Sequence, residues 1–174
     1  MQTTTRTENM PISFKLTEEQ ELIKQMVREI AQKEFAPRAA EVDKNHRFPR
    51  ENWDLLAASD LCGLPFSEEY DGAGMDHVSY AIVVEELAKA CATTSVMYSA
   101  HVSLTSCPID VFGTDEQKKR FLMPMNRGEK LGAFCLSEPG SGSDSAAAVC
   151  MAEDKGDHFI LNGSKNWITN GIEA

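Results

Sequence analysis

Along the first two-thirds of the chain apolar residues recur every three to four positions; along the last third they come in short clusters cut by glycine, proline and aspartate. Leu22, Met26 and Ile30, with Ile23, Val27 and Ala31, repeat at four-residue intervals behind Thr17-Glu-Glu-Gln20. That tetrapeptide is a capping box, in which threonine and glutamine satisfy helix-initial amides, so it predicts a helix whose single apolar stripe must pack on something. Pro49 stands where a second helix starts, ahead of Trp53, Leu56 and Leu61, and Gly63 with Pro65 ends it. A polar, glycine-rich loop from Phe66 to Gly74 follows. The stretch from His77 to Ala92 is apolar on most sides through Tyr80, Ala81, Ile82, Val83, Val84 and Leu87, which predicts a central, nearly buried helix. Ser95 to Ser106 predicts another, interrupted at Cys107-Pro108, and a second capping box at Thr114-Asp-Glu-Gln117 opens a short helix that ends at Pro124.

From Leu131 the period changes. Leu131 to Leu136, Ala147 to Ala152, Phe159 to Leu161 and Asn166 to Thr169 are short runs separated by turn-forming residues, the mark of β-structure. The expected architecture is α+β, with a disordered lead-in over 1–13, an all-helical domain over 14–128 and the start of a β-domain over 129–174.

A chain of 174 residues can bury roughly two-thirds of its unfolded surface, enough for a real core. With 42% hydrophobic and 25% charged residues the composition is that of an ordinary soluble protein, and no apolar run approaches the about 18 residues that span a bilayer. The N-terminus is polar and threonine-rich, without the apolar core of a secretory signal or the repeated arginines of a transit peptide, so the expected location is the cytoplasm. A net charge of -10 argues against nucleic acid, whose binding draws on clustered lysine and arginine. Five scattered cysteines and four histidines share no ligand spacing, so neither a disulfide frame nor a metal site is expected.

Glu138-Pro-Gly-Ser-Gly-Ser143 can bring main-chain amides close to an oxyanion, because glycine permits backbone conformations closed to other residues; a plain tight turn between strands explains the hexapeptide equally well. It lacks the spacing of a dinucleotide fingerprint and the lysine of a phosphate-binding loop. Trp167-Ile-Thr-Asn170 reads either as part of a cofactor wall or as a strand with a half-buried tryptophan.

Taken in order and spacing, the chain from Phe14 onward resembles the acyl-CoA dehydrogenases, with the nearest likeness to short-chain, butyryl-CoA-type members. The resemblance rests on the capped opening helix, the Glu68-Glu-Tyr-Asp-Gly-Ala-Gly74 loop, Tyr80-Ala-Ile-Val-Val-Glu-Glu86, and Phe112-Gly113 before Gln117-Lys118. Phe134-Cys-Leu-Ser-Glu-Pro-Gly-Ser-Gly-Ser-Asp144 and Asn162-Gly-Ser-Lys-Asn-Trp-Ile-Thr-Asn170 complete it. It implies a helical N-terminal domain followed by a β-barrel-like middle domain that holds flavin adenine dinucleotide (FAD). It further implies conversion of an acyl-CoA thioester to the 2-enoyl-CoA, by removal of the α-proton and transfer of the β-hydride to flavin N5.

By the same resemblance the cofactor lies along Phe134, Cys135, Leu136, Ser137, Glu138, Pro139, Gly140, Ser141, Gly142 and Ser143, and against Trp167, Ile168 and Thr169. Leu136 and Ser137 would stabilise the charge that grows on the flavin N1 and O2 edge. Ser143 would contact the pyrophosphate and the bound acyl-CoA, Thr169 would sit near N5, and Trp167 would flank the ring. Ser95 to Leu104 would border the acyl pocket, with Ser99 and Ala100 leaving depth for a tail. Implied partners are electron-transferring flavoprotein and further copies of the chain in a tetramer. The family takes its catalytic carboxylate from a C-terminal helical domain. No acid in this chain, Glu85, Glu86 and Glu138 included, matches that motif, so no catalytic residue is assigned and the base is expected beyond Ala174. Other readings are an oxidase of the same fold that passes electrons to oxygen, and a non-catalytic acyl-CoA-binding module.

Overall fold

The computed structural model describes residues 13–174, and the lead-in expected over 1–13 lies, but for Ser13, outside the described residues. Helix α1 (Glu18–Ile30) opens on the expected capping box: the Thr17 hydroxyl accepts from the Gln20 amide, and the Gln20 side chain accepts from the Thr17 amide. The helix continues through a five-residue π-helical widening (Ala31–Phe35) into α2 (Ala36–Asn45). After α3 (Arg50–Ala58) and a loop with one 3-10 turn (Glu68–Tyr70) come α4 (His77–Ala90) and α5 (Ala92–Ser99). Helix α5 widens at Ala100–Ser106 and runs on as α6 (Cys107–Phe112). Helix α7 (Asp115–Gln117), behind the second capping box, widens at Lys118–Leu122 and runs on as α8 (Met123–Asn126).

Every widening ends just ahead of a proline: Pro37, Pro108 and Pro124. Proline has no N–H and its ring presses on the carbonyl four residues back; a five-residue hydrogen-bond step opens the turn at that place. The helices therefore pass through Pro108 and Pro124, where the sequence predicted an interruption and an end.

Helix α4 packs between α1 and α5. Ile23, Val27 and Ala31 of the α1 stripe are buried as expected, but Leu22 and Met26 face solvent. Helix α4 is likewise less enclosed than its composition predicts: Ile82, Val83 and Leu87 are buried, while Val78, Ala81 and Glu85 are exposed. Trp53, Leu56 and Leu61 join Phe35, Tyr98 and Leu122 in one core. Polar clamps lock the helices together. Glu86 on α4, 3% exposed, receives Arg28 from α1 through two bonds of 2.9 Å and Lys89 at 3.0 Å. Asn52 donates to Thr94 Oγ1 at 2.7 Å and accepts from Arg38 at 2.9 Å, joining α3 to α5 and α2.

The last third holds a single antiparallel hairpin, β1 (Met151–Asp154) and β2 (Phe159–Asn162), in the register Met151↔Asn162 to Asp154↔Phe159. Leu131 to Leu136 and Asn166 to Thr169, expected as strands, form no ladder; Ala147 ends a 3-10 turn (Ser145–Ala147). Their hydrogen bonds go to side chains and to each other's loops, as described below. No helix among the described residues is long and apolar enough to cross a membrane.

His101 joins the two parts. Its ring is fully buried and meets Trp53 edge-on, with centroids 4.7 Å apart. Nδ1 accepts from the Gly132 amide at 3.0 Å, so the proton is on Nε2, which donates to the Met125 carbonyl at 3.2 Å. Burial pushes the imidazole down from the ordinary 6.5 to about 4, with the Met125 carbonyl pulling weakly the other way. A base whose folded pKa is depressed stabilises the fold fully above the unfolded value and loses that contribution as pH falls towards the folded one. The window is thus from pH 6.5 down to about 4, and the loss is on the order of 3 kcal/mol. Urea unfolding across this range should show that loss in the native chain and a flattened slope in His101→Gln, which is less stable at pH 7; equal slopes would contradict a neutral buried His101.

Candidate functional site

The segment that leaves the helices begins tightly packed. At Gly132 an added Cβ would lie 2.6 Å from Met125 Cε and 2.7 Å from Thr105 Cγ2, so only glycine lets the backbone pass. The chain then emerges: Ala133 is half-buried, and Phe134 and Leu136 are each 42% exposed. At Glu138 it turns back on itself, the Glu138 amide donating to the Ser141 carbonyl at 2.8 Å and the Ser141 amide returning to the Glu138 carbonyl at 3.2 Å. Pro139 and Gly140 form the exposed tip, and the Ser141 hydroxyl donates to the Asp144 carbonyl at 2.7 Å. The tight turn is therefore real. Its glycines serve differently from expectation: neither Gly140 nor Gly142 has positive φ, and a Cβ on either would meet nothing within 4 Å. What they leave is open room beside the main chain.

Glu138 points inward, its side chain 2% exposed. It accepts from Lys165 Nζ at 2.7 Å, the Val149 amide at 2.7 Å and the Cys150 amide at 3.0 Å. The Lys165 hydrogen bond, then the Val149 amide, hold its carboxyl well below the usual range, at about 2. Lys165 also donates to the Leu136 carbonyl at 3.0 Å, and the Asn166 amide donates to the Ser137 carbonyl at 2.8 Å. The two segments singled out in the sequence are thereby laid side by side, stitched by Lys165 and Asn166. Sequence reasoning passed over Lys165. The available signal was a buried-type acid in the first segment and one lysine in the second.

Beyond Asn166 the chain forms a turn with two left-handed residues, Trp167 (φ 59°) and Asn170 (φ 66°). Asparagine tolerates that region, whereas a bulky tryptophan there costs about 1 to 3 kcal/mol and calls for surroundings that enforce it. The Trp167 ring is 93% exposed, so it forms no half-buried strand position; Ile168 is half-buried and Thr169 is exposed beside it. Among the described residues nothing accepts a hydrogen bond from the amides of Leu136 and Ser137. The outward edge therefore offers unengaged amides, a hydroxyl and a flat apolar ring. Ser143 lies past the turn, exposed.

On the helical side of this turn Thr169 lines an open cleft of about 670 Å³ between the end of α2, the start of α5 and residues 168–173. Its walls are mostly apolar, with Val96, Met97 and Ile168 among them. Glu173, also in its wall, pairs with Arg50 of α3 at 2.8 Å. Ser99 and Ala100 do not line the cleft; the Ser99 hydroxyl is bonded to Tyr80 at 3.2 Å and Ala100 is buried.

A helical bundle hands its chain to a hairpin through this edge, and the comparisons give the class of protein to which that arrangement belongs. Residues 17–129 match the acyl-CoA dehydrogenase N-terminal domain and residues 133–174 the acyl-CoA dehydrogenase middle domain. The chain belongs to the acyl-CoA dehydrogenase family. It is 52% identical over 160 residues to the short-chain specific acyl-CoA dehydrogenase of Clostridium acetobutylicum, covering 92% of this chain and 42% of that protein. A chain in the structure described as electron transferring flavoprotein of Acidaminococcus fermentans superposes with a TM-score of 0.91 at 47% identity, over 94% of this chain and 43% of that one. The acyl-CoA dehydrogenase complexed with FAD from Bacillus anthracis gives 0.84 at 35% identity, over 90% of this chain and 27% of that one. The chain thus spans about two-fifths of the length of the short-chain relative it matches.

The Glu138 clamp generates a test. Because Val149 and Cys150 donate their amides to its carboxylate, Glu138→Ala should speed hydrogen exchange at those two amides by about tenfold or more while leaving the amides of α4 protected. The sign with pH is that of an acid with depressed pKa. The clamp is intact above pH 4.5 and is lost as pH falls from there towards 2. Exchange rates at Val149 and Cys150 that do not respond to the substitution would mean that the turn holds without it.

Proposed function

We propose that this chain forms the helical, acyl-facing part and the flavin-facing edge of a cytoplasmic, FAD-dependent dehydrogenase that converts a short-chain acyl-CoA to its 2-enoyl-CoA. Residues 14–128 form the helical unit and 129–174 the beginning of the flavin unit. One observation carries the reading: Lys165 and Asn166 bind the Leu136 and Ser137 carbonyls, so the amides of those residues, the Trp167 ring and Thr169 lie on neighbouring, solvent-facing segments. That donor set suits a flat, phosphate-bearing cofactor. Room beside Gly140 and Gly142, where a Cβ would meet nothing, suits the approach of a pyrophosphate to the main chain.

FAD, when bound, supplies the hydride acceptor at N5. The residues of this chain hold and tune it. Leu136 and Ser137 donate hydrogen bonds to the pyrimidine edge, where preorganised donors favour growing negative charge. Phe134, Cys135, Pro139, Gly140, Ser141, Gly142 and Ile168 line the cofactor, and Ser143 contacts the pyrophosphate and the bound acyl-CoA. Trp167 covers the ring with a flat apolar surface, and Thr169 places its hydroxyl at the reacting edge. Glu138 shapes this wall through its clamp, and with three donors on its carboxylate it is not available as a proton acceptor. Short-chain substrates are supported by the identity to the clostridial enzyme, and electron-transferring flavoprotein as electron acceptor by the likeness to the Acidaminococcus chain. A homotetramer is the expected assembly.

Flavin binding tests the reading directly. FAD titrated into the purified protein and followed by flavin fluorescence polarisation should bind, and Trp167→Ala should weaken it about tenfold through loss of the stacking surface. A protein that leaves FAD polarisation unchanged at every concentration would end the proposal. In the longest polypeptide its gene yields, Thr169→Val should slow anaerobic flavin reduction by butyryl-CoA about tenfold to a hundredfold, the effect of losing one hydrogen bond worth about 1 to 3 kcal/mol. An unchanged reductive half-reaction would remove Thr169 from the reacting edge.

A further inference from the structure

We infer that Asn170 is a positioning residue, which sets the place of Trp167 and Thr169 by tying their turn at once to the helical unit and to the root of the flavin segment. Its side-chain amide has two hydrogens, and both are used: Nδ2 donates to the Met97 carbonyl of α5 at 3.1 Å and to the Gly132 carbonyl at 3.0 Å. The two acceptors lie on different units. Met97 sits in the last turn before the helix widens at Ala100, and its carbonyl also accepts from the Ala100 amide. Gly132 is held from its other side, its amide donating to the buried His101 ring. Both acceptors are therefore anchored in the core, and Asn170 carries that rigidity outward to the turn.

The backbone at Asn170 adds a second requirement. Its left-handed φ of 66° is accepted by glycine, asparagine and aspartate but resisted by other side chains. Its own carbonyl accepts from the Glu173 amide at 3.0 Å and the Ala174 amide at 2.9 Å, so the residue organises the chain on both sides of the turn. The Arg50–Glu173 pair at 2.8 Å holds the same segment three residues further on, whereas Asn170 lies within the turn itself. Trp167, strained and 93% exposed, makes no hydrogen bond of its own among the described residues. The placement of a cofactor-facing ring and hydroxyl thus depends on a residue that need not touch the cofactor.

This rests on the flavin reading above, and the experiment separates the two. Asn170→Asp keeps size and backbone preference but turns a carboxylate towards two carbonyls, and Asn170→Gly keeps the backbone and removes both bonds without adding charge. In the cofactor-free full chain, hydrogen exchange at the Gly171, Glu173 and Ala174 amides should rise about tenfold in both variants, with thermal unfolding within a few degrees of the native chain. With FAD added, both should bind about tenfold more weakly, and the visible absorption band of bound flavin should move in the direction seen with Thr169→Val, a shift that a merely structural role would not produce. Unchanged exchange in both variants overturns the inference whether or not flavin binds. Faster exchange with native FAD affinity and an unmoved band overturns it as a cofactor-positioning role. Faster exchange in a chain whose native form binds no flavin sinks the functional reading and, with it, any cofactor role for Asn170. If Asn170→Asp unfolds, Asn170→Gly alone decides.

Discussion

A fully buried, neutral imidazole ties the helices of this molecule to the segment that leaves them. His101 has two ring nitrogens, and the fold gives each a main-chain partner of the right kind: a donor at Gly132 for Nδ1 and an acceptor at Met125 for Nε2. Those partners bracket the stretch that leaves the helices. The Trp53 indole N–H reaches the Gly128 carbonyl at 3.1 Å in the same stretch, and its ring packs edge-on against the imidazole. Residues 125–132 are therefore fixed from two sides, and so is the direction in which the candidate site leaves the core. A protonated His101 would have to turn a second donor towards the Gly132 amide, itself a donor, at a fully buried position.

The buried carboxylates solve the opposite problem. Glu86 and Glu138 stay charged because each is surrounded by donors: Arg28 and Lys89 around the first, Lys165 and two amides around the second. The Arg28 and Lys165 bonds respectively dominate, and both carboxyls are held at about 2. Breaking such a pair leaves an uncompensated buried charge, so these acids serve position rather than proton transfer. Glu86 fixes α1 on α4. Glu138 fixes the glycine turn on the loop before β1, and through Lys165 sets the first site segment against the second.

The hairpin is the least self-sufficient part. Phe159 and Leu161 project from one face, Met151 and Ile160 from the other, and all four are exposed. Strands with apolar residues on both faces belong inside layers, and here no other described element covers either face. The site edge is consequently anchored from the helical side, through Gly132, Asn170 and the Arg50–Glu173 pair, rather than by a sheet beneath it.

Much of this was legible in the chain itself. Both capping boxes form as their four residues require, because a cap involves neighbours three positions apart. The inner half of the α1 stripe, the Trp53 core and the change of period near residue 130 follow from local patterning, and the family motifs lie in the stated order. Local rules failed where a helix could adjust: a breaker reading of Pro108 and Pro124 ignores the π-helical step that accommodates them. They failed again at Leu22 and Met26, since a stripe does not say how wide its partner is. What decides the site is out of local reach. Lys165 meets Glu138 across 27 positions, Gly132 meets His101 across 31, and Asn170 meets Met97 across 73. Sequence alone determined which segments would be helical and which would turn, because backbone preference and periodicity act between near neighbours. Only the tertiary structure decided which polar groups meet and which stay uncharged, because both depend on desolvation in a core that exists only once distant segments have packed.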